Sequence, residues 1–233
     1  MPDGDVTDVD VGAVYAAGRE RVIGLVDGLP ADRVTMFVPA CPEWRVRDVL
    51  AHVSGTCVDI LAGRLDGAGT DPWTETQVAA RRDRDFGEIL AEWNEVAPQV
   101  EAVAKDFGTA GKQWVFDFAT HEQDLRGALA TPGARDSDAW WIELGFITPA
   151  FHGAVADLGL APVRIVTADR DWTPAGVDPV ETLIVDAFEL GRALTGRRSP
   201  DQVRAFGWST DPEPYLAAFE LGPFTLRSTD LVE

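Results

Sequence analysis

Apolar residues recur every three to four positions from about residue 8 to Leu158, and that period commits this stretch of the chain to helices. Residues 8 to 28 carry Val11, Val14, Tyr15, Val22, Ile23 and Val26 on one face, and Gly28 and Pro30 end the segment. From Pro30 to Trp44 the pattern lapses, and Pro39 and Pro42 exclude a helix there. A second helix is predicted from about Arg45 to Leu65, on Val46, Val49, Leu50, Val53, Cys57, Ile60 and Leu61. A loop over Gly67 to Pro72 leads to a short helix at 74–83. A longer helix follows at 86–107, interrupted by Pro98. Two more are predicted over 112–130 and 138–158.

At Ala161-Pro162 the period changes. Val163 to Thr167 alternates as a strand does, and Val180 to Val185 reads as a second one. Asp186 is placed to cap a helix through Leu194. Ser199-Pro200 opens another, and the tail from Phe219 to Leu231 reads as extended. The expected fold class is α+β: an up-down helical bundle over residues 1–160, then a small α+β domain over 161–233.

Charge narrows the partners. Thirty-nine acidic against twenty basic residues give a net charge of -19, which excludes the dense cationic footprint needed for nucleic acid or an anionic membrane. An anionic substrate would instead require a local cluster of arginines. Two cysteines are too few for a disulfide framework. Cys57 falls in a helical apolar pattern and reads as a buried thiol, whereas Cys41, next to Pro42, reads as more accessible. The acidic start, Met1 to Asp5, lacks the features of a signal peptide, and no apolar run is long enough to span a bilayer. The expectation is a soluble, reduced, cytoplasmic protein.

Of the three histidines, His52 and His121 are the candidates to carry chemistry. In Asp117-Phe118-Ala119-Thr120-His121-Glu122-Gln123-Asp124, helical geometry puts His121 about 40° from Asp117 and Asp124 about 20° to the other side. Carboxylate, imidazole and carboxylate therefore share one stripe, and an i, i+4 pair of this kind can chelate a metal ion. The same spacing also serves an exposed ion pair. His52 lies at the edge of its helix's apolar face, beside Val49 and Val53, where a histidine serves equally as a core residue with one satisfied hydrogen bond. Brought together, His52, Asp117 and His121 would give two nitrogens and one oxygen, a set suited to zinc or a similar divalent ion with open positions left over. His152 stands outside this pattern and reads as structural.

Two segments bear a resemblance. The run Val38-Pro39-Ala40-Cys41-Pro42-Glu43-Trp44-Arg45-Val46-Arg47-Asp48-Val49-Leu50-Ala51-His52-Val53 resembles the second-helix signature V-P-x-C-P-x-W-x-V-x-D-L-x-x-H-L of the DinB-like, mycothiol-dependent maleylpyruvate isomerase family. Asp117 to Gly127 is similar to the E-x-x-x-H-x-x-D-L motif of that family. The order of a bundle and then a small sterol-carrier-like domain, with a tail ending Ser228-Thr229-Asp230-Leu231-Val232-Glu233, also agrees.

The resemblance implies that His52 and His121 are metal ligands and that Asp117 stands where the family has glutamate, one methylene longer. It places Asp124 at the motif's aspartate, where it would orient a ligand. It further implies mycothiol or a similar small thiol as cosubstrate, a small electrophile as substrate, and isomerisation or S-transfer as the reaction. A carboxylate on that substrate would call on Arg81, Arg82 or Arg126. Two other readings fit the same residues: a metal-containing binding protein without turnover, and a metal-assisted hydrolase with Asp124 as base.

Overall fold

The computed structural model describes residues 9–233. The acidic start and Asp8, the first residue of the first expected helix, lie outside the described residues. The chain divides into two compact units: residues through Ile142 with Glu233, and Glu143–Val232.

The first unit is helical. It contains α1 (Val11–Val26), a four-residue helix α2 (Ala31–Val34), and a short antiparallel pair of strands, β1 (Phe37–Val38) and β2 (Cys41–Arg45). Then come α3 (Val46–Ala62), α4 (Asp71–Ala80), α5 (Phe86–Glu101), a 3-10 turn (Ala104–Asp106) and α6 (Thr109–Leu129). The division between the units falls within α7 (Asp138–Asp157).

Local chemistry sets the helix ends. Asp10 accepts a hydrogen bond from the Ala13 amide at the start of α1. Asp85 and Glu88 form a capping box on α5. Gly63, with φ of 66°, ends α3 in the left-handed region that glycine enters without strain. Pro72, expected in a loop, instead lies in the first turn of α4, where its missing N–H is not needed. That helix accordingly begins earlier than its period indicated. Arg81, Arg82 and Arg84 fall in the turn beyond its end.

The core of this unit collects the apolar faces of α1, α3, α5 and α6. Val22, Val26, Val49, Leu50, Cys57, Ile89, Trp93, Val115 and Phe118 are buried, each large apolar side chain worth about 1.5–3 kcal/mol when fully buried. Tyr15 stacks on Trp114 with ring centroids 3.7 Å apart, and the Trp93 indole N–H donates to the Tyr15 hydroxyl at 3.1 Å. Ion pairs reinforce the packing at its rim. Arg19 holds Glu101 of α5, and Arg21 holds Glu122 of α6 at 2.7 Å.

In the second unit four strands lie in the order β4-β3-β5-β6. They are β3 (Val163–Val166), β4 (Asp171–Trp172), β5 (Glu181–Ile184) and β6 (Gly207–Trp208). β3 and β5 are parallel, with Ile165 opposite Leu183, and the outer two pairs are antiparallel. Val163, Ile165 and Leu183 are buried on one face, as alternation predicts. Asp186 caps α8 (Ala187–Leu194), and Ser199 caps α9 (Pro200–Arg204).

Two-residue strands carry almost no periodicity, which is why β4 and β6 left no sequence signal. Residues Glu213–Phe219 form a 3-10 helix, and the tail beyond them is pinned rather than free. Gln202 Nε2 donates to the Leu231 carbonyl at 2.8 Å, and Ser199 Oγ donates to Asp230. No helix among the described residues is long and apolar enough to cross a membrane.

Candidate metal centre

α3 and α6 bring His52, Asp117 and His121 together. Each offers one ligating atom, and these atoms lie within 4.8 Å of one another. His52 Nε2 is 3.1 Å and 3.2 Å from the two Asp117 oxygens, and His121 Nε2 is 3.8 Å from Asp117 Oδ1. The edge of a ligand tetrahedron around zinc, with bonds of about 2.1 Å, is about 3.4 Å. The observed separations bracket that edge. The short aspartate therefore reaches His52 directly, without a further methylene.

The two rings are held from behind. His52 is 1% exposed, and its Nδ1 is 2.6 Å from Gln77 Oε1. The orientation of the Gln77 amide follows from its other end, where Nε2 donates to Asp59 Oδ2 at 2.8 Å. A carboxylate only accepts, so Oε1 must face the ring and Nδ1 must carry the proton. On His121, Nδ1 lies 3.1 Å from the fully buried Asp124 carboxylate and is a donor for the same reason. Both rings then turn Nε2 toward Asp117, where it donates to the carboxylate when protonated and offers its lone pair to a cation otherwise.

Electrostatics agrees with this donor set. Burial lowers the pKa of His52, but the charge of Asp117 and the hydrogen bonds that the ring donates to Asp117 and Gln77 outweigh it, so the pKa is raised. Positive charge is thus favoured between His52 and Asp117, and a divalent cation meets that demand as a proton does. Two imidazoles and a carboxylate with 34% side-chain exposure form a donor set that fits zinc and leaves an approach from solvent.

The family model for the mycothiol maleylpyruvate isomerase N-terminal domain matches residues 15–140, over half the chain and the whole span from Trp44 to Asp124. The chain belongs to this family. Among solved structures it is similar to a mycothiol-dependent maleylpyruvate isomerase, with a TM-score of 0.54 and 8% identity, covering 87% of this chain and 92% of that one. At that identity the likeness is one of fold. Comparison with the curated proteins finds no match.

In this member of the mycothiol maleylpyruvate isomerase family, β2 completes the surroundings of the triad. Trp44 lies with its ring centroid 5.3 Å from His52 and 5.5 Å from His121, stacked on the latter at an interplanar angle of 27°. Cys41 Sγ is 3.9 Å from Asp124 Oδ2. The Cys-Pro-Glu-Trp stretch thus supplies one wall; in the sequence it read as a connection with an accessible thiol and as part of the family-like run, with no role at the site assigned to Trp44.

The sequence-predicted cations fall elsewhere. Arg82 is 67% exposed and pairs with Glu75 at 3.0 Å. Arg126, five residues beyond His121 and therefore about 140° around α6, donates to Glu122 at 2.9 Å. Arg81 is buried against Glu92 at 2.5 Å and donates to the Gln77 carbonyl. The structure gives all three partners of their own and does not bring Arg82 or Arg126 into the triad. His152 lies in the second unit, where burial depresses its pKa. Gln77 was missed by sequence reasoning, because a lone glutamine on a short helix has no pattern that distinguishes it from surface.

Proposed function

We propose that this chain is a metal-dependent enzyme that activates a small thiol of the mycothiol type for addition to a small electrophile, as an isomerase or S-transferase. The convergence of His52, Asp117 and His121, each ring fixed by an acceptor behind it, carries this reading. A divalent cation, zinc by its donor preference, would lower the pKa of a thiol that approaches it.

The chain's own part is to hold and shield. Gln77 and Asp124 keep both rings in the tautomer that frees Nε2, and Trp44 covers one side of the rings with an apolar plate. For an electron-poor double bond, thiolate addition forms a C–S bond, rotation follows about the remaining single bond, and elimination returns the thiol and the isomerised product. Release of the adduct instead is S-transfer. Family membership and the fold of the solved mycothiol-dependent maleylpyruvate isomerase support this class.

The test is turnover by the zinc-loaded protein with mycothiol and maleylpyruvate, or with a reactive electrophile in its place. Product formation that requires the thiol is the expected result. Hydrolysis without thiol, or tight binding without product, would overturn the proposal.

A further inference from the structure

Behind the triad lies a hydrogen-bonded chain that runs away from it along α3. His52, Thr56 and Asp59 are spaced four and three residues apart, so they form one stripe on that helix. Gln77 of α4 bridges the stripe. Its Oε1 accepts from His52 Nδ1 at 2.6 Å and from Thr56 Oγ1 at 3.4 Å, and its Nε2 donates to Asp59 at 2.8 Å. Asp59 is closed off at the far end by Arg64, at 2.7 Å and 2.9 Å.

The backbone is shaped for this bridge. A Cβ on Gly55 would lie 2.5 Å from Gln77 Cβ and 2.8 Å from its Cγ, so α4 approaches α3 at the one residue without a side chain. Gln77 itself is 2% exposed. A buried amide at such close quarters, with both ends engaged, has a defined orientation.

We propose that Gln77 is a positioning residue for the cation site: a neutral relay that accepts from His52 Nδ1–H, so fixing the ring with Nε2 toward Asp117, and takes its own orientation from Asp59. The relay explains why an amide stands where a carboxylate would also accept. A carboxylate at 77 would face the buried Asp59 carboxylate where the amide now donates to it, whereas the amide orients the ring and leaves the Asp59 charge to Arg64. The inference rests on the triad holding a cation, but the hydrogen bond from His52 Nδ1 to Gln77 is a property of the protein alone.

The experiment follows both quantities. Nitrogen-15-edited proton NMR of histidine-labelled, metal-free protein, at a pH where His52 is protonated, reports the His52 Nδ1–H proton by its downfield shift and slow exchange with water. Competition with a chromophoric chelator reports zinc affinity.

In the wild type a downfield, slowly exchanging Nδ1–H proton should be present. Gln77→Leu should lose it and weaken zinc about tenfold to a hundredfold. Gln77→Glu, which keeps the acceptor, should restore it. Asp59→Asn touches neither ring nor metal, yet it frees the Gln77 amide to flip and should move that proton upfield and speed its exchange. It is isosteric, so it decides the matter if Gln77→Leu does not fold.

An unchanged Nδ1–H proton in either Gln77→Leu or Asp59→Asn would overturn the proposal. Absence of zinc binding by the wild type would instead overturn the cation reading, while the Nδ1–H measurement still decides the role of Gln77.

Discussion

Asp117 on α6 places both carboxylate oxygens within 3.2 Å of His52 Nε2 on α3, across 65 residues of sequence. This is a contact between a buried imidazole and a carboxylate open to solvent on one side, and it joins the two helices that hold the candidate ligands. A ligand set assembled in this way depends on each of its members.

His121→Ala should abolish metal retention, since two remaining protein ligands do not make a closed zinc site. Elemental analysis after dialysis is expected to show less than a tenth of the wild-type zinc. Unchanged stoichiometry would place the ion elsewhere.

Acid should loosen the helical unit through Glu92. Burial works against the charge of this carboxyl, but hydrogen bonds from Arg81, Ser54 and Arg84 outweigh it and hold its pKa below the ordinary carboxylate value. A pKa depressed in the folded state contributes stability above the unfolded value of about 4.3, and that contribution is lost as pH falls through the folded value. Glu92→Gln should therefore cost about 1–3 kcal/mol at pH 7 and less at acid pH. Urea unfolding at pH 7 and at pH 3 measures the difference. An equal cost at both would remove the carboxylate from the account.

Gly55→Ala should destabilise the protein by about 1–3 kcal/mol, because the added methyl meets Gln77 at 2.5 Å and α4 must move outward. The same movement draws the Gln77 amide from His52, so zinc affinity should fall together with the melting temperature. A stable variant with wild-type affinity would mean that the two helices have slack.

The two thiols should react differently. Cys57 is buried against Tyr15, and burial pushes its pKa up to about 12, whereas Cys41 is only half-buried. A chromogenic disulfide reagent should titrate one thiol per native chain, at Cys41, and two after unfolding. Rapid labelling of Cys57 in the native protein would show that the core of the helical unit opens readily.

The helices around the triad and the stripe of Asp117, His121 and Asp124 were legible because they depend on residues close in sequence. A 3.6-residue period and a fixed angle per residue are local properties, and they hold whatever the rest of the chain does. The caps at Asp186 and Ser199 were legible for the same reason: a side-chain oxygen reaching an amide two or three residues on needs no tertiary context. The strands β4 and β6 were not, being two residues each, and neither was the hairpin of β1 and β2.

By itself the sequence determined the long helices and which potential ligands share a face of α6, but not the four-residue α2 at Ala31–Val34, inside the stretch read as free of helix. Only the tertiary structure decided that His52 meets that face, that Gln77 and Trp44 flank it, and that Arg82 and Arg126 pair with Glu75 and Glu122 instead. The physical reason is that direction along one helix follows from backbone geometry, whereas a partner on another helix follows from how close two backbones can come. Here a glycine at position 55 sets the approach of α3 and α4, and no local pattern records that distance.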